Sequence, residues 1–453
     1  MAPTVRSFSA DFEPLGLVAR FPERYPGILE SGAVASRAGA GSRFDILPIA
    51  AGESLVLDAH ASLTGPGAAA GRGFLDAFEH WWRELALTPG NPASLPFTGG
   101  WFVYLGYEIA AEIEPRLRLP AAAEPITALA VRAPAAWIRD RAQARAWLVA
   151  EAGHEGLLDR FVADAADLGA GPPPARVAVK IHEEPAERFL HAVRRALDYI
   201  AAGEVYQANL SRRWWGECAQ PIDPVALYAG LRAANPSPFA ALLRYGDFAV
   251  ISSSPERLLA IHGDAIATRP IAGTRPRGRN PEEDAALIRG LLENEKERAE
   301  HVMLIDLERN DLGRVCRGGT VRVDEYMTVE TYAHVHHIVS NVTGRLREGV
   351  TPVDAIRAVF PGGTITGCPK VRCMQIIAEL EGEGRGAYTG SIGYVNRDGS
   401  CDFNILIRTM TATARRLSFR AGAGIVADSE PAFELEETRA KAKGLLRAVE
   451  TCA

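Results

Sequence analysis

Several features that would place this sequence in common functional classes are missing. No run of Lys or Arg reaches five residues and the formal net charge is −6. The positive footprint that attracts a phosphate backbone is therefore absent, and DNA or RNA is not an expected partner. No stretch approaches the roughly 18 uninterrupted apolar residues of a membrane span. The opening MAPTVRSFSADFEPLG lacks a basic segment followed by an apolar one, so a cytoplasmic protein without a membrane partner is expected. The cysteines at 218, 316, 368, 373, 401 and 452 stand singly, without paired zinc spacing, and read as reduced thiols. No period of roughly 20–50 residues recurs, which excludes a solenoid.

What is present is core material. Apolar residues make up 47% of the 453 positions and charged residues 23%. That balance suits a soluble body with two domains or one composite domain. The strongest break is DLGAGPPPARVAVKI, where glycine and three successive prolines stop any helix. We divide the sequence there into a region 1–166, a linker 167–182 and a region 183–453. Strand-like runs such as GWFVYL and FAVISSS mix with a long helical run over 281–312 and with AWLVAEAGHEGLLDRFVADAADLG, which has a helical amphipathic pattern. The mixture argues for an α+β fold.

Several constellations could carry chemistry. Glu297 and Glu300 share one helix face, and Glu434 and Glu437 repeat that spacing on a helix expected to begin with Ser429 as cap and Pro431 in its first turn. The pairs are either solvated faces or two halves of a site for a hard cation such as Mg²⁺, and spacing does not decide between them. FPGGTITGCPKVR is no phosphate loop, because Cys368 and Pro369 separate the glycine from Lys370. It could still offer backbone N–H groups to a carboxylate, as could AGAGIVAD through Gly422 and Gly424. Arg408, flanked by apolar residues in NILIRTM, needs a carboxylate from the protein or from a ligand. Lys441 follows Glu437 at helix-pair spacing. In YAHVHHIVS a strand puts His334 and His336 on one face and His337 on the other, which suits one proton-transfer histidine better than a zinc site. Glu256, after a strand and a Pro turn in ISSSPERLL, is either a catalytic acid or a solvated loop residue. Finally, TRPIAGTRPRG surrounds Ala272 with arginines, glycines and prolines, and looks like an anion cradle with a methyl group at its centre.

Taken in order, SPERL, TRPIAGTRPRG, ERAEHVMLIDLERNDLGRV, HIVSNVTG, FPGGTITGCPKVR, GSIGYV, IRT, AGAGIVADSEP and ELEETRAKA resemble the chorismate-utilising enzymes, densely over 185–450 and more loosely before that. The resemblance implies an anthranilate synthase component I-like fold, with two layered antiparallel sheets and outer helices enclosing the active site. It implies that Glu300 and Glu437 bind Mg²⁺ with Glu297 and Glu434 as companions, and that Tyr388, Arg408, Gly422, Gly424 and Lys441 hold the substrate carboxylates. Gly273 and Thr274 would lie by the substrate, His337 and Thr364 beside its ring, and Glu256 would be the acid for the departing C4 hydroxyl.

Relatives that add water carry a lysine base where this chain has Gln207, so the resemblance leaves an amination. No glutaminase is recognisable in the chain, which implies ammonia from a separate glutamine amidotransferase subunit, component II, or from solution. The resemblance leans toward 4-amino-4-deoxychorismate, on the route to 4-aminobenzoate and folate, as product. Anthranilate is the alternative, because Ala272 stands where some aminodeoxychorismate-forming relatives carry a nucleophilic lysine. Tryptophan is carried as a candidate ligand of the N-terminal region near Glu30 and Ser31.

Overall fold

The alternating apolar runs form strands, and in the computed structural model these assemble into two antiparallel sheets. The structure describes residues 2–32, 43–69, 73–87, 95–168, 179–332 and 335–451. The larger sheet runs Thr4–Phe8, Arg145–Ala150, Ala135–Asp140, Phe44–Ile49, Gly27–Glu30, Phe239–Tyr245, Phe248–Ser254, Thr409–Thr413, Arg416–Ile425, Gln207–Glu217 and His182–Glu183. The smaller runs Ile271–Pro276, Val335–Arg345, Ala265–Arg269, Arg257–His262, Cys401–Asn404, Ser391–Asn396, Gly100–Leu105, Ile126–Ala133, Ser54–Asp58 and Leu63–Thr64.

Both sheets draw strands from both sides of the proline-rich break, most of which (169–178) lies outside the described residues. In the larger sheet Ile28 stands opposite Leu242; in the smaller, Val103 stands opposite Gly393. The break divides the sequence while the sheets run across it. Phe102, Tyr104, Leu129, Leu243, Val250 and Leu406 fill the space between the layers and are almost fully buried. Each of the Phe, Leu and Val side chains contributes about 1.5–3 kcal/mol of hydrophobic stabilisation. Helices cover the outer faces. Pro224–Ala234 and Pro431–Thr451 pack on the larger sheet, while Phe74–Leu85, Glu295–Gly313 and Pro352–Val359 share a core with the smaller. The α+β expectation holds.

Local details differ from the sequence reading. The helical run over 281–312 is two helices, Pro281–Glu293 and Glu295–Gly313, because Asn294 is extended and its side chain accepts from the Glu297 N–H to cap the second. AWLVA belongs to the strand Arg145–Ala150, and only Gly156–Ala166 is helical. Ser429 does not cap the last helix. Its hydroxyl turns back to accept from the Val426 N–H at 3.1 Å.

Candidate active site

The centre of TRPIAGTRPRG is a strand, Ile271–Pro276, paired with Val335–Arg345. The register slips between Ala272 and Thr274, and Gly273 sits there at φ +69°, a bulge conformation that glycine adopts without strain. The bulge directs neighbouring groups apart. Ala272 is 7% exposed against the core, while the exposed Thr274 reaches His337, with Oγ1 2.9 Å from Nδ1. A Cβ on Gly273 would stand 3.0 Å from Glu297 Oε2, so the bulge presses the strand against the start of the helix Glu295–Gly313.

The arginines of this segment do not form an anion cradle. Arg269 pairs with Glu330 and Glu325, Arg275 with Glu297, and Arg277 with Asp284. Each is neutralised by the protein. Likewise, the carboxylate that faces the FPGGTITG turn is the protein's own Glu308, whose Oε1 would lie 3.2 Å from a Cβ on Gly363. Lys370 donates to the carbonyls of Val359 and Pro361 and pairs with Asp311, which ties that turn down.

Two glycines two apart on the strand Arg416–Ile425 open one face to the site. At Gly424 a Cβ would meet Gln207 Nε2 at 2.3 Å and Glu300 Oε1 at 3.5 Å; at Gly422 it would meet Tyr388 Oη at 2.6 Å and Asn209 Oδ1 at 3.0 Å. Gln207 Nε2 donates to Glu300 Oε1 at 2.7 Å. Lys441 reaches from the last helix to the strand, donating to the Gly422 carbonyl at 3.0 Å while pairing with Glu437 of its own helix at 2.6 Å. Glu434, one turn earlier on that helix, is 6% exposed. The strand end thus connects the two glutamate pairs. Among the described residues no three His, Cys, Asp or Glu side chains converge as a ready cation cage. Glu297 Oε2 is nevertheless buried without a partner, and all-carboxylate oxygen donors suit Mg²⁺, which takes few protein ligands and keeps its waters. The residues fit such an ion.

Glu256 is 4% exposed, so the solvated reading fails for it. Burial pushes its pKa up to about 8, and the negative charge of Glu308 adds to the rise. The Ile271 N–H points at Oε1 from 3.4 Å. The Thr364 hydroxyl lies close enough to lower the carboxyl's pKa but without the geometry of a formed hydrogen bond, and its Oγ1 is left buried and unpartnered. His337 is 2% exposed; burial, with Arg408 nearby, holds its pKa down to about 3, so its ring is neutral near pH 7. Its Nε2 is also buried without a partner.

Arg408 is not in a strand. It occupies the bend between Cys401–Asn404 and Thr409–Thr413 at φ +51°, partly buried, with its carbonyl accepting from the Ser253 N–H at 3.1 Å. No carboxylate forms an ion pair with it among the described residues, and the negative charge of Glu256 acts on it through space. His334 lies outside the described residues, and His336 is a structural residue held between Thr331 and Asp284. Glu30 and Ser31 lie in a different region. Glu30 accepts from Tyr228, Arg232 and Arg141, and Ser31 Oγ donates to the Phe44 carbonyl.

Sequence reasoning missed Asn209 and Glu308. Asn209 shares a strand face with Gln207, and Glu308 follows Glu300 at two helical turns, so each periodicity could have pointed to its partner.

Residues 43–447 match the model of the chorismate binding enzyme family. The anthranilate synthase component I-like protein of Synechocystis sp. is 45% identical over 81% of this chain and 76% of its own length. Aminodeoxychorismate synthase component 1 of Bacillus subtilis is 43% identical over 83% and 82%. The crystal structure of anthranilate synthase component I from Streptococcus pneumoniae superposes with a TM-score of 0.79 at 32% identity, covering 91% of this chain and 93% of that one.

Proposed function

The chain belongs to the chorismate binding enzymes, and on that footing we propose that it aminates chorismate to 4-amino-4-deoxychorismate, with ammonia supplied by a glutamine amidotransferase subunit. The observation that carries amination is Gln207. It stands at the strand end beside Glu300 and Gly424, and an amide cannot take a proton from water. Ammonia is nucleophilic without such help.

Arg408, Tyr388, Lys441 and the backbone at Gly422 and Gly424 bind the substrate carboxylates, the guanidinium through paired charge-assisted bonds. Glu297, Glu300, Glu434 and Glu437 would hold Mg²⁺, which supplies a cation for a substrate carboxylate when bound. Glu256, protonated at neutral pH, gives its proton to the C4 hydroxyl, which departs as water. Neutral His337 and Thr364 lie beside the ring, where their unpartnered atoms orient it. Ala272 offers no nucleophile, so a first ammonia adds at C2 and a second displaces it through C4.

Ala272 also favours a second reading. A methyl group leaves room for ammonia at C2, and loss of pyruvate from that adduct would give anthranilate. Incubating the chain with chorismate, Mg²⁺ and ammonium, with and without a 4-amino-4-deoxychorismate lyase, separates the two. Release of 4-aminobenzoate only after lyase addition is expected; fluorescent anthranilate without it overturns the first reading. For the metal, Glu300→Gln and Glu437→Gln are each expected to abolish turnover and weaken Mg²⁺ binding in calorimetry while keeping the fold. Full activity in either refutes the assignment.

A further inference from the structure

The amination scheme leaves Arg385 unused, yet its guanidinium ties together three of the segments that line the site. It is 2% exposed and lies just past the helix Lys370–Glu381. Its Nε and Nη2 donate to the two carboxylate oxygens of Glu381 at 3.0 and 2.7 Å. Nη2 also donates to the Asn209 carbonyl at 2.6 Å, and Nη1 donates to the Ile365 carbonyl at 3.1 Å and to Thr389 Oγ1 at 3.3 Å. A guanidinium has five N–H donors, so each is used once. Asn209 belongs to the strand of Gln207, Ile365 to the turn of Thr364, and Thr389 follows Tyr388 directly.

With the fork pinned, its flat face becomes a wall. The ring centroid of Tyr388 lies 5.5 Å from Arg385 Cζ and that of Tyr107 lies 5.1 Å from it, within the range of cation–π attraction. From that wall the Tyr388 hydroxyl reaches the strand Arg416–Ile425 at Gly422, where a Cβ would stand 2.6 Å from Oη. Burial pushes the pKa of Tyr388 up to about 12 while Arg385 opposes the rise, so the hydroxyl keeps its proton and remains a donor. Thr389 sits at φ +63°, a left-handed conformation that β-branched residues rarely adopt. Its N–H is held by the Leu406 carbonyl at 2.8 Å and its hydroxyl by Arg385. Such strain persists only where the surroundings impose it.

We propose that Arg385 is a positioning residue for substrate binding: it is the rigid face against which Tyr388 is set, so that the Tyr388 hydroxyl meets a substrate carboxylate at Gly422. The proposal rests on Tyr388 being a carboxylate-binding group. A lysine in place of Arg385 would keep a positive charge for Glu381, which Arg420 also pairs at 3.1 Å. It would have no plane to stack on and too few donors to hold three segments.

The test is a double-mutant cycle on the consumption of chorismate at saturating ammonium, with wild type, Arg385→Lys, Tyr388→Phe and the double variant, and melting curves to confirm folding. Arg385→Lys is expected to raise KM for chorismate about tenfold with kcat nearly kept, the split that follows when a binding contact is loosened. Tyr388→Phe keeps the ring, loses the hydroxyl and should do the same. Because Arg385 acts through that hydroxyl, the double variant should lie within about twofold of Tyr388→Phe alone. Arg385→Gln should raise KM in the same direction, and takes the place of the Lys variant in the cycle if that variant does not fold. An arginine that only supports the fold would lower the melting temperature and leave KM unchanged. That result, or KM effects that multiply in the double variant, overturns the proposal. Tyr388→Phe also separates the two failures. If it leaves KM unchanged, the carboxylate reading of Tyr388 is what fails; if it raises KM while the folded Arg385 variants stay at the wild-type value, only the role of Arg385 fails.

Discussion

Around Glu30 the buried polar groups close on one another: Glu30 takes bonds from Tyr228, Arg232 and Arg141, while Asp45 takes them from Arg139, Arg141 and the Ser31 N–H. Around Glu256 they do not. Gln207 Oε1, Asn209 Oδ1, Thr268 Oγ1, Glu297 Oε2, His337 Nε2 and Thr364 Oγ1 are all buried without a hydrogen-bond partner. Each unmet group costs about 1–3 kcal/mol. The first region ties the strand Gly27–Glu30 to the helix Pro224–Ala234 and to the Ala135–Asp140 strand end, across the junction of the two sequence regions. Its polarity serves the fold, whereas the unmet groups of the second region are those that a bound substrate would complete on the proposed amination reading.

Substitutions should separate the two regions, and Glu256→Gln should do so most strongly. We expect kcat to fall by about 10²–10⁴-fold, the usual contribution of a positioned acid. Wild-type activity should itself decline as pH rises through about 8, where Glu256 loses its proton. Stability should fall over the same pH range as activity. A carboxyl whose folded pKa is raised to about 8 favours folding below its ordinary value and loses that contribution as pH rises through 8. The Gln variant should therefore melt above wild type at pH 9 and show no such gain at pH 4. A variant that melts below wild type at every pH would place Glu256 among the structural residues.

Glu30→Gln should give the reverse pattern. It breaks a buried ion cluster from one side, which costs about 3 kcal/mol. Urea denaturation should show that loss, while kcat per folded molecule stays at the wild-type value. A catalytic defect without a stability defect would erase the distinction between the regions. Arg408→Met should be next in size. With no protein carboxylate paired to the guanidinium, its removal should leave the melting temperature near wild type and raise KM for chorismate about tenfold to a hundredfold, the worth of a charge-assisted pair of bonds.

How far the sequence reveals these regions depends on how local their causes are. The paired glycines at 422 and 424 and the glutamate pairs on two helices follow from spacing along one element and are visible as patterns, whereas the bulge at Gly273 depends on pairing with Val335–Arg345 and is not. The burial of Glu256 follows from the helix that carries Glu308 and from the turn at Thr364, both far away in sequence, so it could be read only as a loop glutamate of unknown environment. The arginines of TRPIAGTRPRG misled for the same reason. Their carboxylate partners Glu297, Glu325 and Glu330 sit on other elements, and local composition cannot show that a charge is already neutralised. The Glu30 cluster joins residues from 30 to 232 and left no local signature beyond a single Glu-Ser pair.

The contrast should survive at the scale of one hydroxyl. Thr364 and Thr366 sit in the same turn, two residues apart. Thr366 Oγ1 donates to the Gly362 carbonyl at 2.9 Å and the residue is fully buried, whereas Thr364 Oγ1 has no partner. Valine has the same shape as threonine and lacks the hydroxyl, so each Thr→Val change isolates the polar atom. Thr366→Val leaves a buried carbonyl short of its donor and should destabilise by about 1 kcal/mol. Thr364→Val removes a buried group that had nothing to bond and should stabilise the ligand-free protein by a similar or smaller amount, about 0.5–1 kcal/mol. It should also raise the alkaline limb slightly, because Thr364 favours the ionised form of Glu256. If both variants destabilise alike, the Thr364 hydroxyl is satisfied in the free protein, and the unmet groups around Glu256 no longer distinguish that region from the one around Glu30.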